Sequence, residues 1–340
     1  MSEITAGPPV PAPAVLRRPE AIRAVPVRHP LRWVGAVVVL AIAALAVYTF
    51  VTAPTLHWAI VGQYLFNDRI LGGAVLTLEL TAIAMVIGVS LGGLMAVMRL
   101  SVNPVLSWIS WVYIWFFRGT PVLVQLWFWF NIALILPTVS LGIPFTHLQW
   151  VANTTSIDPP FVAAILGLGL NEAAYMAEII RAGLISVEHG QTEAAQALGM
   201  NRTQVMRRIV IPQAMRVIVP PTGNETISML KTSALASICT VGELFFIQTE
   251  VANATYRVVE LLIVASIWYL VMSSALTFGQ YYIERHYARG SVRMLPETPL
   301  QRFRRLFFRF HVPPPAPPGG GAADGGEPPL PPPPFLPPIH

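Results

Sequence analysis

Long apolar runs, separated by short polar stretches, set the pattern of this chain. Stretches almost free of charge extend over Trp33 to Ala53, Gly72 to Met98, Leu106 to Leu136 and Phe161 to Ile180. A less apolar run, Val217 to Val241, carries Pro220, Pro221 and Gly223 near its start, which predicts an early break. A final run covers Val258 to Phe278. A spanning helix needs about 20 mostly apolar residues, so the pattern predicts an all-α, polytopic transmembrane helix bundle of about six spans.

Composition strengthens this picture. The chain is 54% hydrophobic and only 11% charged, with a mean hydropathy of +0.59, well below the quarter charged of soluble domains. The formal net charge is +5, but its placement points to membrane topology. Eighteen arginines fall in residues 1–32, 99–105, 181–216 and beyond 282, and only Arg69 and Arg257 in the alternate loops. By the positive-inside rule both termini and the 181–216 segment face the cytoplasm.

The pattern divides the chain into four parts. A Pro/Arg-rich segment, 1–32, precedes an apolar run at 33–53 that is too long for a signal-peptide core and reads as an uncleaved span. The main transmembrane domain covers 71–282. A cytoplasmic tail, 283–340, holds the basic aromatic stretch Gln301 to His311, suited to lipid headgroups, and is Pro/Gly-rich and disordered by composition from Pro313 onward. The lone cysteine, Cys239, allows no intrachain disulfide. Gly88 and Gly92, extended by Ala96, form a small-xxx-small seam for close helix packing, although glycine is common in membrane helices anyway.

Residues 181–216 are too polar to span and too patterned for a loose loop. Thr192 to Leu198 favours a helix, and Gly199 stands where a left-handed residue would end it. Asn201 with Gln204 reads as a capping box opening a second helix, which Pro212 is predicted to end or to mark in its last turn. Helix, glycine corner and basic helix would also describe a DNA-reading motif. The nearness of spans on both sides denies that motif access to a duplex, so nucleic acid is not an expected partner.

The run Glu193-Ala194-Ala195, with Gly199, Ile209 and Ile211-Pro212 at their spacings, resembles the EAA loop of ABC importer permeases. Ile211 stands where leucine is more usual. Three further stretches are similar to the polar amino-acid branch of that family: Arg118-Gly119-Thr120-Pro121 followed by VLVQL, Ala174 to Gly183, and Leu230 to Ser233, with Ala234 replacing a frequent hydroxyl residue. The resemblance covers roughly 71–282 and implies a five-helix permease core, with 33–53 as an extra span. It implies that 186–212 is the coupling loop, with Glu193, Ala194, Ala195, Gly199, Ile209 and Pro212 coupling to an ATPase. It further implies two ABC ATPase subunits, an extracytoplasmic solute-binding protein and a second permease, identical or related, in a bacterial inner membrane. The expected function is ATP-driven import of polar amino acids by alternating access. The alternatives are an opine or peptide as cargo, or a passive channel.

Ionisable residues within the spans need partners or a wet cavity, since each costs about 2.5–3.5 kcal/mol at the bilayer centre. They are Glu79, Arg118, Glu172, Glu178 and Lys231. Asn171, Tyr175 and Glu178 share one helix face at i, i+4, i+7. Arg118, Asn171, Glu172, Tyr175 and Lys231 are therefore the candidate pathway residues, with Arg118 or Lys231 for a carboxylate and a carboxylate for an ammonium. The competing reading is that these groups pair across helices, as Glu178 with Arg181 is expected to do. No phosphate-cradling loop, metal-ligand cluster or nucleophile elbow occurs in the sequence. The chain is thus expected to be no enzyme and to hold no cofactor, with ATP and Mg on the partner ATPase.

Overall fold

A computed structural model describes residues 30–142, 149–157 and 159–287. Most of the Pro/Arg-rich segment and nearly all of the tail, including 301–311, lie outside these residues. The chain is an all-α bundle. Helix α1 (Pro30–Val51) is apolar on every side and exposed from Trp33 onward, as suits a lipid-embedded helix. Helix α2 (Trp58–Leu65) leads into α3 (Asp68–Arg99), and Asn67 caps α3 by accepting from the Arg69 amide.

The run Leu106 to Leu136 forms two helices, α4 (Pro104–Gly119) and α5 (Val122–Phe130), where one span was expected. Pro121 is the reason. It disfavours helical backbone at the residue before it, and Thr120 is extended, with φ −113° and ψ 143°. Two one-turn helices, α6 (Ile132–Ile135) and α7 (Thr154–Ile157), flank an antiparallel hairpin of β1 (Thr138–Gly142) and β2 (Gln149–Asn153), a feature the apolar pattern did not signal.

Helix α8 (Pro160–Ile185) lies along α3, and small residues make that approach possible. A Cβ placed on Gly88 would stand 2.5 Å from Glu172 Cγ, and one on Gly92 would stand 2.7 Å from Met176 Cβ. Ala96 is fully buried in the same helix. The predicted small-residue seam is therefore a true contact line.

After α9 (His189–Ala197), helix α10 (Arg202–Val205) passes through a π turn, Met206–Val210, into α11 (Ile211–Thr232). Pro212 thus opens a long helix, contrary to the expectation that it closes a short one. The wider turn, in which the Ile211 amide reaches Met206 O, shifts the bonding register just before the proline. Nor do Pro220 and Pro221 break α11. Gln280 reaches in beside Gly223, where a Cβ would stand 2.6 Å from it, and its Nε2 donates to Pro220 O at 3.4 Å. The break comes later, in a 3-10 segment (Ser233–Cys239) ending at Thr240, whose φ is 57°.

Helices α12 (Leu244–Thr255) and α13 (Val258–Tyr287) complete the bundle. Among the described residues four helices are long and apolar enough to cross a membrane, and the bent pair Arg202–Cys239 with Leu244–Thr255 makes a fifth. The split at Thr120–Pro121 accounts for the difference from six.

Candidate functional site

The break between α4 and α5 builds the site. Helix ends leave carbonyls without intrahelical partners, and here two side-chain amides serve them. Gln125 Nε2 donates to Phe117 O at 2.9 Å, Thr120 O at 3.1 Å and Thr120 Oγ1 at 2.7 Å. Asn171 Nδ2, from α8, donates to Phe117 O at 3.0 Å and to Gln125 Oε1 at 3.1 Å. Gln125 and Asn171 are both buried. Together they fix the end of α4, and with it Arg118.

Arg118, Thr120, Asn171, Glu172, Tyr175 and Glu225 then line a partly open cavity of about 510 Å³, floored by Ser228, Met229 and Thr232 of α11. Glu172 is 2% exposed, and its Oε1 is buried with no hydrogen-bond partner among the described residues. The guanidinium carbon of Arg118 sits 5.3 Å from the Tyr175 ring centroid, within cation–π range.

Of the sequence candidates, the structure brings Arg118, Asn171, Glu172 and Tyr175 together and leaves Lys231 out. The cavity face of α11 carries Glu225, Ser228, Met229 and Thr232. At roughly 100° per residue, Lys231 falls off that face, and it is exposed. Glu178 pairs with Arg181 at 2.7 Å, as expected. Glu225 went unnoticed in the sequence because polar residues surround it. Its i, i+3, i+7 relation to Ser228 and Thr232 was the available signal.

From its first helix to the capping box at Asn201 and Gln204 the 186–212 segment is built as its spacing suggested. Gly199 has a φ of +79°; its amide donates to Gln196 O at 2.9 Å and the Met200 amide to Ala195 O at 3.1 Å, a Schellman end. Asn201 and Gln204 form a reciprocal capping box. Ala195 packs inward with Val205 and Val210, flanked by Ile209, so it is core and not contact surface. Outward stand Glu193, Ala194 and Leu198, the last 84% exposed. An isolated exposed leucine is weak evidence in a sequence, and it was missed.

A second structural hub joins α3, α12 and α13. Buried Glu243 accepts from the Phe245 and Phe246 amides at 2.8 and 2.7 Å and from Tyr269 Oη at 3.0 Å.

The bundle and this segment have counterparts among known proteins. Residues 88–289 match the family described as the binding-protein-dependent transport system inner membrane component. This chain belongs to that family. Among its relatives is an arginine transport system permease protein of Corynebacterium glutamicum, 44% identical over 301 residues, covering 88% of this chain and 92% of that one. An L-cystine transport system permease protein of Bacillus subtilis is 35% identical, covering 68% and 92%. A nopaline transport system permease protein of Agrobacterium fabrum is 36% identical, covering 64% and 89%. A solved amino acid ABC transporter chain is 34% identical with a TM-score of 0.58, covering 68% of this chain and 99% of that one. A methionine ABC transporter chain, 21% identical with a TM-score of 0.51, shares the fold. Family membership and the apolar helices make this a multi-pass inner-membrane protein.

Proposed function

We propose that this chain is the permease subunit of an ATP-driven importer whose cargo is an amino acid with a cationic side chain. The observation that carries the proposal is the charge set of the cavity: two carboxyl side chains, Glu172 and Glu225, and one guanidinium, Arg118. An arginine-like molecule offers the complement, one carboxylate for Arg118 and two cations for the carboxyls. The buried, unpartnered Oε1 of Glu172 suits a donor brought by the cargo. The arginine permease among the relatives agrees with this cargo. An opine adds carboxylates that these groups do not match.

On this reading the segment 186–212 faces the cytoplasm, as do both termini, and docks on two ATPase subunits that hold ATP and Mg. Glu193, Ala194 and Leu198 present the docking face, while Gly199, Ala195, Ile209 and Pro212 hold its shape. An extracytoplasmic binding protein delivers the cargo, and a second permease, identical or related, completes the pathway. Closure of the ATPases drives alternating access.

The test is uptake by the complex purified with its ATPase subunits and reconstituted in liposomes. Labelled arginine should be imported on ATP addition, and citrulline, its uncharged isostere, should compete poorly. Replacing Glu225 with Gln removes a charge-assisted contact worth roughly 1.5–3 kcal/mol and should narrow the preference about tenfold or more. Equal competition by citrulline would overturn the cationic reading. Absence of any co-purifying ATPase would overturn the importer reading.

A further inference from the structure

The Arg118–Tyr175 contact stands between two cavities of opposite charge. Beside the cavity described above lies another of about 560 Å³, lined by Arg99, Arg181 and Glu178 and walled by Trp111 and Trp115. Arg118, Gly119 and Tyr175 belong to both. The second cavity opens toward the 186–212 segment: Arg99 ends α3, and Arg181 lies in the last two turns of α8, which leads directly into that segment.

Their charge inventories differ. The first cavity, the chamber, sets two carboxyls against Arg118. The second, the vestibule, sets three guanidiniums against Glu178, which is already engaged by Arg181 at 2.7 Å. A cation is favoured in the chamber and disfavoured in the vestibule.

We infer that Arg118, resting on the Tyr175 ring, is the threshold between chamber and vestibule, and that it seals the chamber against the ATPase side until the permease changes state. The inference rests on the importer reading above but not on the identity of the cargo. Its physical basis is that both partners of the contact line both cavities, with a cation held on an aromatic face. A cargo cation leaving the chamber must displace the Arg118 guanidinium from the ring. The surplus of positive charge in the vestibule opposes entry of a cation from the ATPase side.

The experiment uses the full importer in liposomes, held with a non-hydrolysable ATP analogue so that no turnover occurs. Passive flux of labelled arginine and of labelled alanine is measured side by side. Wild-type flux should stay at the level of empty liposomes. With Tyr175→Ala the flux of both should rise about tenfold, the factor set by loss of a contact of cation–π strength. Tyr175→Phe keeps the aromatic face and should stay sealed. Arg118→Leu removes the cation and should leak like Tyr175→Ala, which preserves the test if one variant fails to assemble. Sealed liposomes with an assembled Tyr175→Ala or Arg118→Leu importer would overturn the inference, as would equal leakage through Tyr175→Phe. If wild-type uptake with ATP ignores arginine while the variants still leak alanine, the cationic cargo is wrong and the threshold stands.

Discussion

Asn171 of α8 donates to the carbonyl of Phe117 at 3.0 Å, fastening the C-terminal end of α4 to a different helix. Its side-chain nitrogen serves a second acceptor, Gln125 Oε1, at 3.1 Å. Replacing the amide by a carboxylate, Asn171→Asp, would set an acceptor against two acceptors in a buried site. The expected cost is about 1–3 kcal/mol, the penalty of leaving buried polar groups unsatisfied. A lowered thermal midpoint of the detergent-purified protein checks it. An unshifted midpoint would mean that the break is held by Gln125 alone.

The α3–α8 seam predicts a sharp contrast between glycines of one helix. Gly92→Ala must push a Cβ against Met176 Cβ at 2.7 Å and Ala173 O at 2.8 Å. Gly72→Ala meets nothing within 4 Å. Overpacking of this kind costs roughly 1–3 kcal/mol, so the first variant should unfold at lower temperature and the second should match the parent. Thermal unfolding followed by loss of monodisperse protein separates the two.

Gly199 tests the 186–212 segment. A Cβ there has free space, yet φ is +79°, so substitution is penalised through the backbone alone, by roughly 1–2 kcal/mol for an L residue and more for a β-branched one. Gly199→Val should insert and fold in the membrane but lose ATPase co-purification or substrate-stimulated hydrolysis. Gly190→Ala, at a position with no positive φ and open space, is the matched control.

Glu243 caps α12 and receives Tyr269 in one carboxylate. Glu243→Ala removes the cap and leaves two amides and a phenol hydroxyl without their acceptor. The loss should be about 2 kcal/mol or more, from the cap and the stranded donors together. Glu243→Gln, which keeps one acceptor oxygen, should recover part of it. Thermal midpoints of the three proteins, ranked in that order, are the measurement.

Much of this architecture could be read in advance because lipid removes choices. A backbone in hydrocarbon must satisfy itself, so apolar length becomes helix, and four of the six predicted runs coincide with single helices. Likewise Gly199 and the pair Asn201 and Gln204 revealed their turn, since only certain residues fit those backbone positions. Proline misled in both directions. Pro121 breaks a run that looked continuous, while Pro212, Pro220 and Pro221 sit within one that looked broken. The outcome depends on how distant residues pack around each proline, as Gln280 does beside Gly223, and local sequence does not contain that. Site residues followed the same division. Arg118, Glu172 and Tyr175 stood out as polar groups in apolar surroundings. Glu225, among polar neighbours, did not; Glu243 lies just beyond the apolar run that ends at Val241; and Lys231 stood out but turns away because helical phase decides direction.

The helix that begins at Asn201's cap continues through the π turn as far as Thr232. Val205 packs beneath α9 at one end, and Ser228 borders the cavity near the other. At a rise of ~1.5 Å per residue these two positions are about 35 Å apart along one axis, so a tilt of about 5° at the Val205 end sweeps the other by about 3 Å, the width of a hydrogen bond. The α10–α11 helix is a lever arm, and its mechanical advantage lies in the three prolines failing to act as hinges.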